Sequence, residues 1–134
     1  MGRGIWQGFW VCLFFCGCHS FQLAGSNDPL VEEIANQAAV GKRVGSTPQS
    51  PDLILKEIPL KTPVKEAQAI MKEHGFTCWS AVPDGYKTCI HCTAYKSMPK
   101  GLGYKIVVKL YYDSEKPQLG INGVEVTVNY NYGI

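Results

Sequence analysis

The residues with the most chemistry in them are Cys78, Cys89, His91 and Cys92, set within fifteen positions of one another. Cysteine serves three ends: covalent crosslinking, thiolate ligation of a metal, and thiol–disulfide exchange. Cys89-Ile90-His91-Cys92 has the C-x-x-C spacing of thiol oxidoreductases, in which a helix N-terminus lowers the pKa of one thiol. Here it lies inside a β-like run, Tyr86 to Tyr95, where positions i and i+3 are too far apart to bridge without a bend. Haem attachment needs histidine directly after the second cysteine, and Thr93 stands there. Zinc could draw on the three cysteines with His74 or His91, but a second C-x-x-C is missing. A structural disulfide is therefore the expected use of these residues, worth about 3 kcal/mol for a loop of this length.

Strand parity bears on the partners. If the turn Pro83-Asp84-Gly85 pairs Val82 with Tyr86, then Cys78 faces Ile90, Cys92 lies diagonally on the same face, and Cys89 points away. A one-residue change in that turn puts Cys78 opposite Cys89 instead. The expected bond is Cys78–Cys92, with Cys78–Cys89 as the alternative, and one thiol is left over either way.

Little else reads as reactive. No hydrolase constellation appears, His74 falls at a helix end where a cation meets the dipole favourably, and Asp84 belongs to a turn. The formal charge of +2 and pI of 8.2 carry no basic stripe of the kind nucleic-acid binders show. Neither a cofactor, a metal site nor a small-molecule substrate is expected.

The elements that must position the cysteines follow from periodicity and punctuation. Thr62 as N-cap, Pro63 at the first helical position and Gly75 as stop predict a helix over 63–74, with Val64, Ala67, Ile70 and Met71 on one face. Phe76–Val82 and Tyr86–Tyr95 read as a hairpin. In 104–112, Tyr104, Ile106, Val108, Leu110 and Tyr112 alternate with Lys105, Val107, Lys109 and Tyr111. In 124–132 the valines and tyrosines alternate with Glu125, Thr127, Asn129 and Asn131. Period two with one apolar and one wet face predicts an antiparallel sheet covered on one side. The expected fold is α+β, one main helix on a sheet of about four strands, over residues 53–134. Upstream, Asp28-Pro29 to Gly41 reads as a short helix with a thin apolar stripe, marginal or loosely docked, and 42–52 as a linker. Residues 18–52 would then be a tether.

Residues 1–17 have the order of an export signal: Arg3 and the free amine, an apolar run from Ile5 to Phe15, then Gly17 before Cys18. The ending resembles a bacterial lipobox, which implies that Cys18 is diacylated and holds the mature chain to a membrane of the cell envelope. Ordinary signal-peptidase cleavage, with Cys12, Cys16 and Cys18 incidental, is the alternative. No stretch reaches the ~18 apolar residues of a membrane-spanning helix.

Further along, Ile58-Pro59-Leu60-Lys61-Thr62-Pro63 precedes the helix, and Tyr111-Tyr112-Asp113 and Asn122-Gly123-Val124 bracket the last turn. Over residues 58–134 this resembles the small envelope lipoproteins of the SmpA/BamE-like type, with Lys61 where that group tends to have glycine. The resemblance implies helices against a short antiparallel sheet. The function expected is a non-catalytic domain that binds a protein partner or supports an envelope assembly. Met98 and Leu102, apolar residues without an evident core role in the 96–103 loop, are the expected contact residues. Two alternatives stand: a thiol oxidoreductase or chaperone using Cys89 and Cys92, and a secreted inhibitor or immunity-type protein.

Overall fold

The computed structural model describes residues 28–40, 45–97 and 103–130. Cys18, Met98 and Leu102 lie outside the described residues. The elements in chain order are α1 (Pro29–Val40), β1 (Ser46–Gln49), α2 (Asp52–Glu57), α3 (Val64–Glu73), β2 (Thr77–Asp84), β3 (Lys87–Ser97), β4 (Gly103–Tyr112), a 3-10 turn (Pro117–Leu119) and β5 (Ile121–Asn129). The fold is α+β. Its five strands pair antiparallel in the order β1-β5-β4-β3-β2.

Alternation along the strands divides the sheet into two faces. Ile90, Cys92 and Ala94 of β3, Ile106, Val108 and Leu110 of β4, and Val126 and Val128 of β5 are buried in one cluster with residues of all three helices. From α3 this cluster takes Ala67 and Met71, with Val64 and Ile70 packed at its margin. That is the stripe the helical spacing predicts. Gly75, at φ 86°, ends the helix: the Phe76 N–H donates to the Met71 carbonyl at 3.1 Å and the Gly75 N–H to Lys72 at 3.0 Å. Those two bonds are a Schellman closure, and the left-handed residue in it favours glycine. Thr62 is not the cap expected of it. Pro63 holds the N-cap position, and the Thr62 hydroxyl donates to the Pro59 carbonyl instead.

The largest departure from expectation is at the N-terminal side. Far from being loosely docked, α1 buries Leu30, Val31, Ile34, Ala35 and Ala38 in the common core. Its stripe combines Leu, Val and Ile with two alanines, and all of them are buried. Asp28 caps it, accepting from the Leu30 N–H at 2.9 Å. Nor is 42–52 wholly linker, because Ser46–Gln49 adds the fifth strand along 126–129 of β5. Four residues including Pro48 carry almost no strand signal of their own, and they suit a short edge strand. Packing therefore begins with α1, well before residue 53.

The loop before α3 is held to the start of β5. The Lys61 N–H donates to the Ile121 carbonyl at 2.7 Å and the Ile121 N–H to Thr62 at 2.9 Å. Lys61 has φ 75°. A non-glycine residue in that region is strained by about 1 kcal/mol.

Candidate functional site

The chemistry-bearing residues converge on the β2–β3 hairpin. Its turn is tighter than expected: Asp84 pairs with Lys87, leaving Gly85 and Tyr86 as a two-residue loop. Gly85 has φ 64°, the conformation that a primed turn asks of its first central residue. Counting back from that pair, an unbroken ladder would set Cys78 opposite Thr93 and turn its side chain away from Cys92. A β-bulge intervenes. Ser80 and Ala81 together oppose Ile90, so that below the bulge Trp79 pairs with His91 and Cys78 with Cys92. Ala81 has φ 57°, and its N–H, outside the ladder, donates to the Tyr112 hydroxyl at 3.1 Å.

The extra residue thus rotates Cys78 onto the helix-covered face, where it is disulfide-bonded to Cys92. The expected partner is right, while the register behind it differs: Cys78 is directly opposite Cys92, not Ile90. Cys89 lies on the other face, free and buried. Cys89 and Cys92 accordingly point to opposite sides of β3, and the C-x-x-C pair is not assembled.

No helix among the described residues lies on that other face, yet it is not bare. Cys89, Thr93 and Tyr111 are all buried there. Cys89 and Tyr111 are cross-strand neighbours, as are Lys109 and Glu125. The Tyr111 Oη lies 2.6 Å from Asp84 Oδ2 and 2.8 Å from Glu125 Oε2. Lys109 Nζ lies 3.4 Å from the same Asp84 oxygen, and Lys87 Nζ stands over the Tyr111 ring, 5.0 Å from its centre. Asp84, expected as a plain turn residue, is thus the end of β2 and a partner of β4.

The electrostatics follow from these contacts. The Tyr111 hydrogen bond and then the Lys109 charge hold the Asp84 carboxyl below its ordinary value. Burial first, and then the hydrogen bonds to Asp84 and Glu125, push the Tyr111 phenol far up, so it remains a donor. Burial, followed by Asp84, raises the Cys89 thiol, the opposite of what a reactive thiolate needs. Burial, then Lys109 and Lys105, lowers His91. Beside it Trp79, 51 % exposed, meets the His91 ring edge-on at 6.0 Å.

A second polar cluster joins the helices. His74, the C-cap of α3, faces both oxygens of Asp28, with Nδ1 at 2.9 and 3.1 Å, and its Nε2 is 3.7 Å from Glu57. The α1 cap is thereby tied to the end of α3. Among the described residues no group of three or more His, Cys, Asp or Glu side chains converges as metal ligands. No described helix is long and apolar enough to cross a membrane.

Sequence reasoning missed the Asp84–Tyr111–Glu125 contact and the Asp28–His74 pair. The alternation of 104–112 and 124–132 puts Tyr111 and Glu125 on one face, which was a usable signal. Asp84 joins them only through the tight turn. The Asp28–His74 pair joins elements far apart in sequence and leaves no local trace. Set against known proteins, no family model, no curated protein and no solved structure matches the chain.

Proposed function

We propose that this chain is an exported lipoprotein, anchored to a membrane of the bacterial envelope through Cys18, whose α+β domain is non-catalytic and binds an envelope protein partner. The observation that carries the binding half is Trp79. It stands half-exposed on the sheet face opposite the described helices, although an indole of that size would bury well in the core. Exposed tryptophans with a rigid backing are the residues on which interfaces most often concentrate their energy. The two sheet edges suit docking on a face better than strand addition. β2 is broken by the Ser80-Ala81 bulge and by Pro83, and β1 is short and carries Pro48. Met98 and Leu102, between β3 and β4 in sequence, remain proposed contact residues.

The export half draws support from the Cys78–Cys92 disulfide, whose persistence calls for an oxidising compartment. Lys61 supports the likeness to SmpA/BamE-like lipoproteins in a limited way: the backbone there has the conformation glycine prefers.

Both halves are tested in cells. The mature protein should partition into detergent with an acyl mass on Cys18, and Cys18→Ala should release it to the soluble fraction. In vivo crosslinking from position 77, exposed beside Trp79 on the same face, should then trap one envelope protein, and Trp79→Ala should lose that adduct while shifting the melting temperature by no more than a few degrees. An unprocessed leader, or adducts indifferent to Trp79, overturns the corresponding half.

A further inference from the structure

Two constraints fix how β2 lies on β3. The tight turn sets Val82 opposite Cys89, and the disulfide sets Cys78 opposite Cys92. Between those pairs stand Trp79, Ser80 and Ala81 on β2 but only Ile90 and His91 on β3, so one residue is forced out into the bulge. The turn is there whatever the state of the cysteines, whereas the disulfide can be removed. We propose that Cys78–Cys92 is a redox latch on the register of β2. Closed, it holds Trp79 on the open face; reduced, it lets the extra residue pass to the start of the strand and turns Trp79 to the helix-covered face.

The balance within the strand favours that move once the bond is gone. Ala81, at φ 57°, sits where an L side chain crowds its own backbone, and its N–H is spent outside the ladder on the Tyr112 hydroxyl. With the extra residue moved to Thr77 and Cys78, Ala81 pairs with Ile90, Ser80 with His91 and Trp79 with Cys92. Gly75 and Phe76, which close α3, keep their places. A one-place change of register reverses the face each residue presents. The half-exposed indole then turns toward the apolar side, and the partly buried Cys78 side chain turns away from it. An indole gains more by that exchange than a thiol loses. Reduction takes one dithiol. Its thiolate attacks the Cys78 sulfur, because that of Cys92 is fully buried, and the Cys92 sulfur leaves and takes a proton. The second thiol of the reductant then displaces Cys78, giving two cysteine thiols and an oxidised dithiol. The two thiols, now on opposite faces, rejoin only after the strand slips back. The consequence for docking rests on the proposed reading of Trp79 and of export: the contact residue is presented only by the oxidised chain, hence after it has left the reducing cytoplasm.

The test uses the full chain in detergent with Trp6→Phe and Trp10→Phe, which leaves Trp79 as the sole tryptophan. On reduction with dithiothreitol its emission maximum should move to the blue. The Ala81 Cα and Cβ carbon shifts should move from left-handed to β-strand values, with amide dispersion kept. The Cys78→Ser, Cys92→Ser double variant should show the same spectra with no reductant present. An Ala81 that stays left-handed in the reduced protein and in the double variant, with Trp79 emission unchanged, overturns the latch. So does a red shift with collapse of the amide dispersion, since the bond would then only hold the fold together. In cells the double variant should lose the position-77 adduct, as Trp79→Ala does. If the register changes and the adduct persists, the latch stands and the docking role of Trp79 falls.

Discussion

The two faces of this sheet are buried by different means. Under the helices, burial is apolar and shared: aliphatic side chains from three helices and three strands close over one another, and Cys78 and Cys92 are oxidised into that core. On the open face, Cys89, Thr93 and Tyr111 are also buried, with no helix of the described residues above them. There the cover is the long side chains of the same sheet, whose apolar stems lie over their neighbours while the charged ends reach water or one another. The first kind of burial tolerates exchange of one aliphatic residue for another. The second depends on particular partners, since every buried polar atom must keep its hydrogen bond.

The comparison is broken most severely from the covered side. Ile34→Asp, which puts an unpaired charge under α1, should cost at least about 4 kcal/mol in urea unfolding. A cost under about 1 kcal/mol would return α1 to the status of a tether. Next comes the crosslink. The Cys78→Ser, Cys92→Ser double variant should lose about 3 kcal/mol, in line with a disulfide spanning 14 positions. In the native protein, non-reducing peptide mapping should find those two joined, and Cys89 should resist iodoacetamide until the chain unfolds.

Off both faces, Lys61→Gly should stabilise by about 0.5–1 kcal/mol, because it relieves the left-handed strain and keeps the N–H bonded to Ile121. On the open face, Trp79→Ala should change stability by about 1 kcal/mol or less, half of that side chain being already in water. The smallest expected effect is a pH dependence. His91 has its folded pKa lowered from 6.5, so the unfolded chain takes up the proton first as pH falls. Its contribution is complete above 6.5 and is lost between 6.5 and the lower folded value. His91→Gln should flatten the stability–pH curve in that window. An unchanged slope would show that the ring is not shielded by the open-face side chains.

These contrasts also mark what the sequence could say. The covered face was legible because it is written in periods: 3.6 in Val64, Ala67, Ile70 and Met71, and 2 in 104–112 and 124–132. The cysteine partners were legible for the same reason, since parity separates Cys89 from Cys92 in any straight strand. The bulge was not. Ser80 and Ala81 are ordinary strand-edge residues, and only the meeting of a tight turn with a disulfide requires an extra one. β1 was hidden because a four-residue edge strand draws its conformation from β5 rather than from its own composition. The open-face cluster was hidden because hydrogen bonds among Asp84, Tyr111 and Glu125 depend on three strands being in register at once.

One feature of the sheet bears on how the chain comes into being. From β3 to β5 every strand pairs with the one made just before it, but β1 pairs only with β5, the last of the described strands. On a ribosome β1 must wait, unpartnered, until β2, β3, β4 and β5 have been made. The β2–β5 meander can assemble progressively, while the edge at Ser46–Gln49 can be sealed only after synthesis has passed Asn129. A chain truncated within β5 would lack not one strand but two.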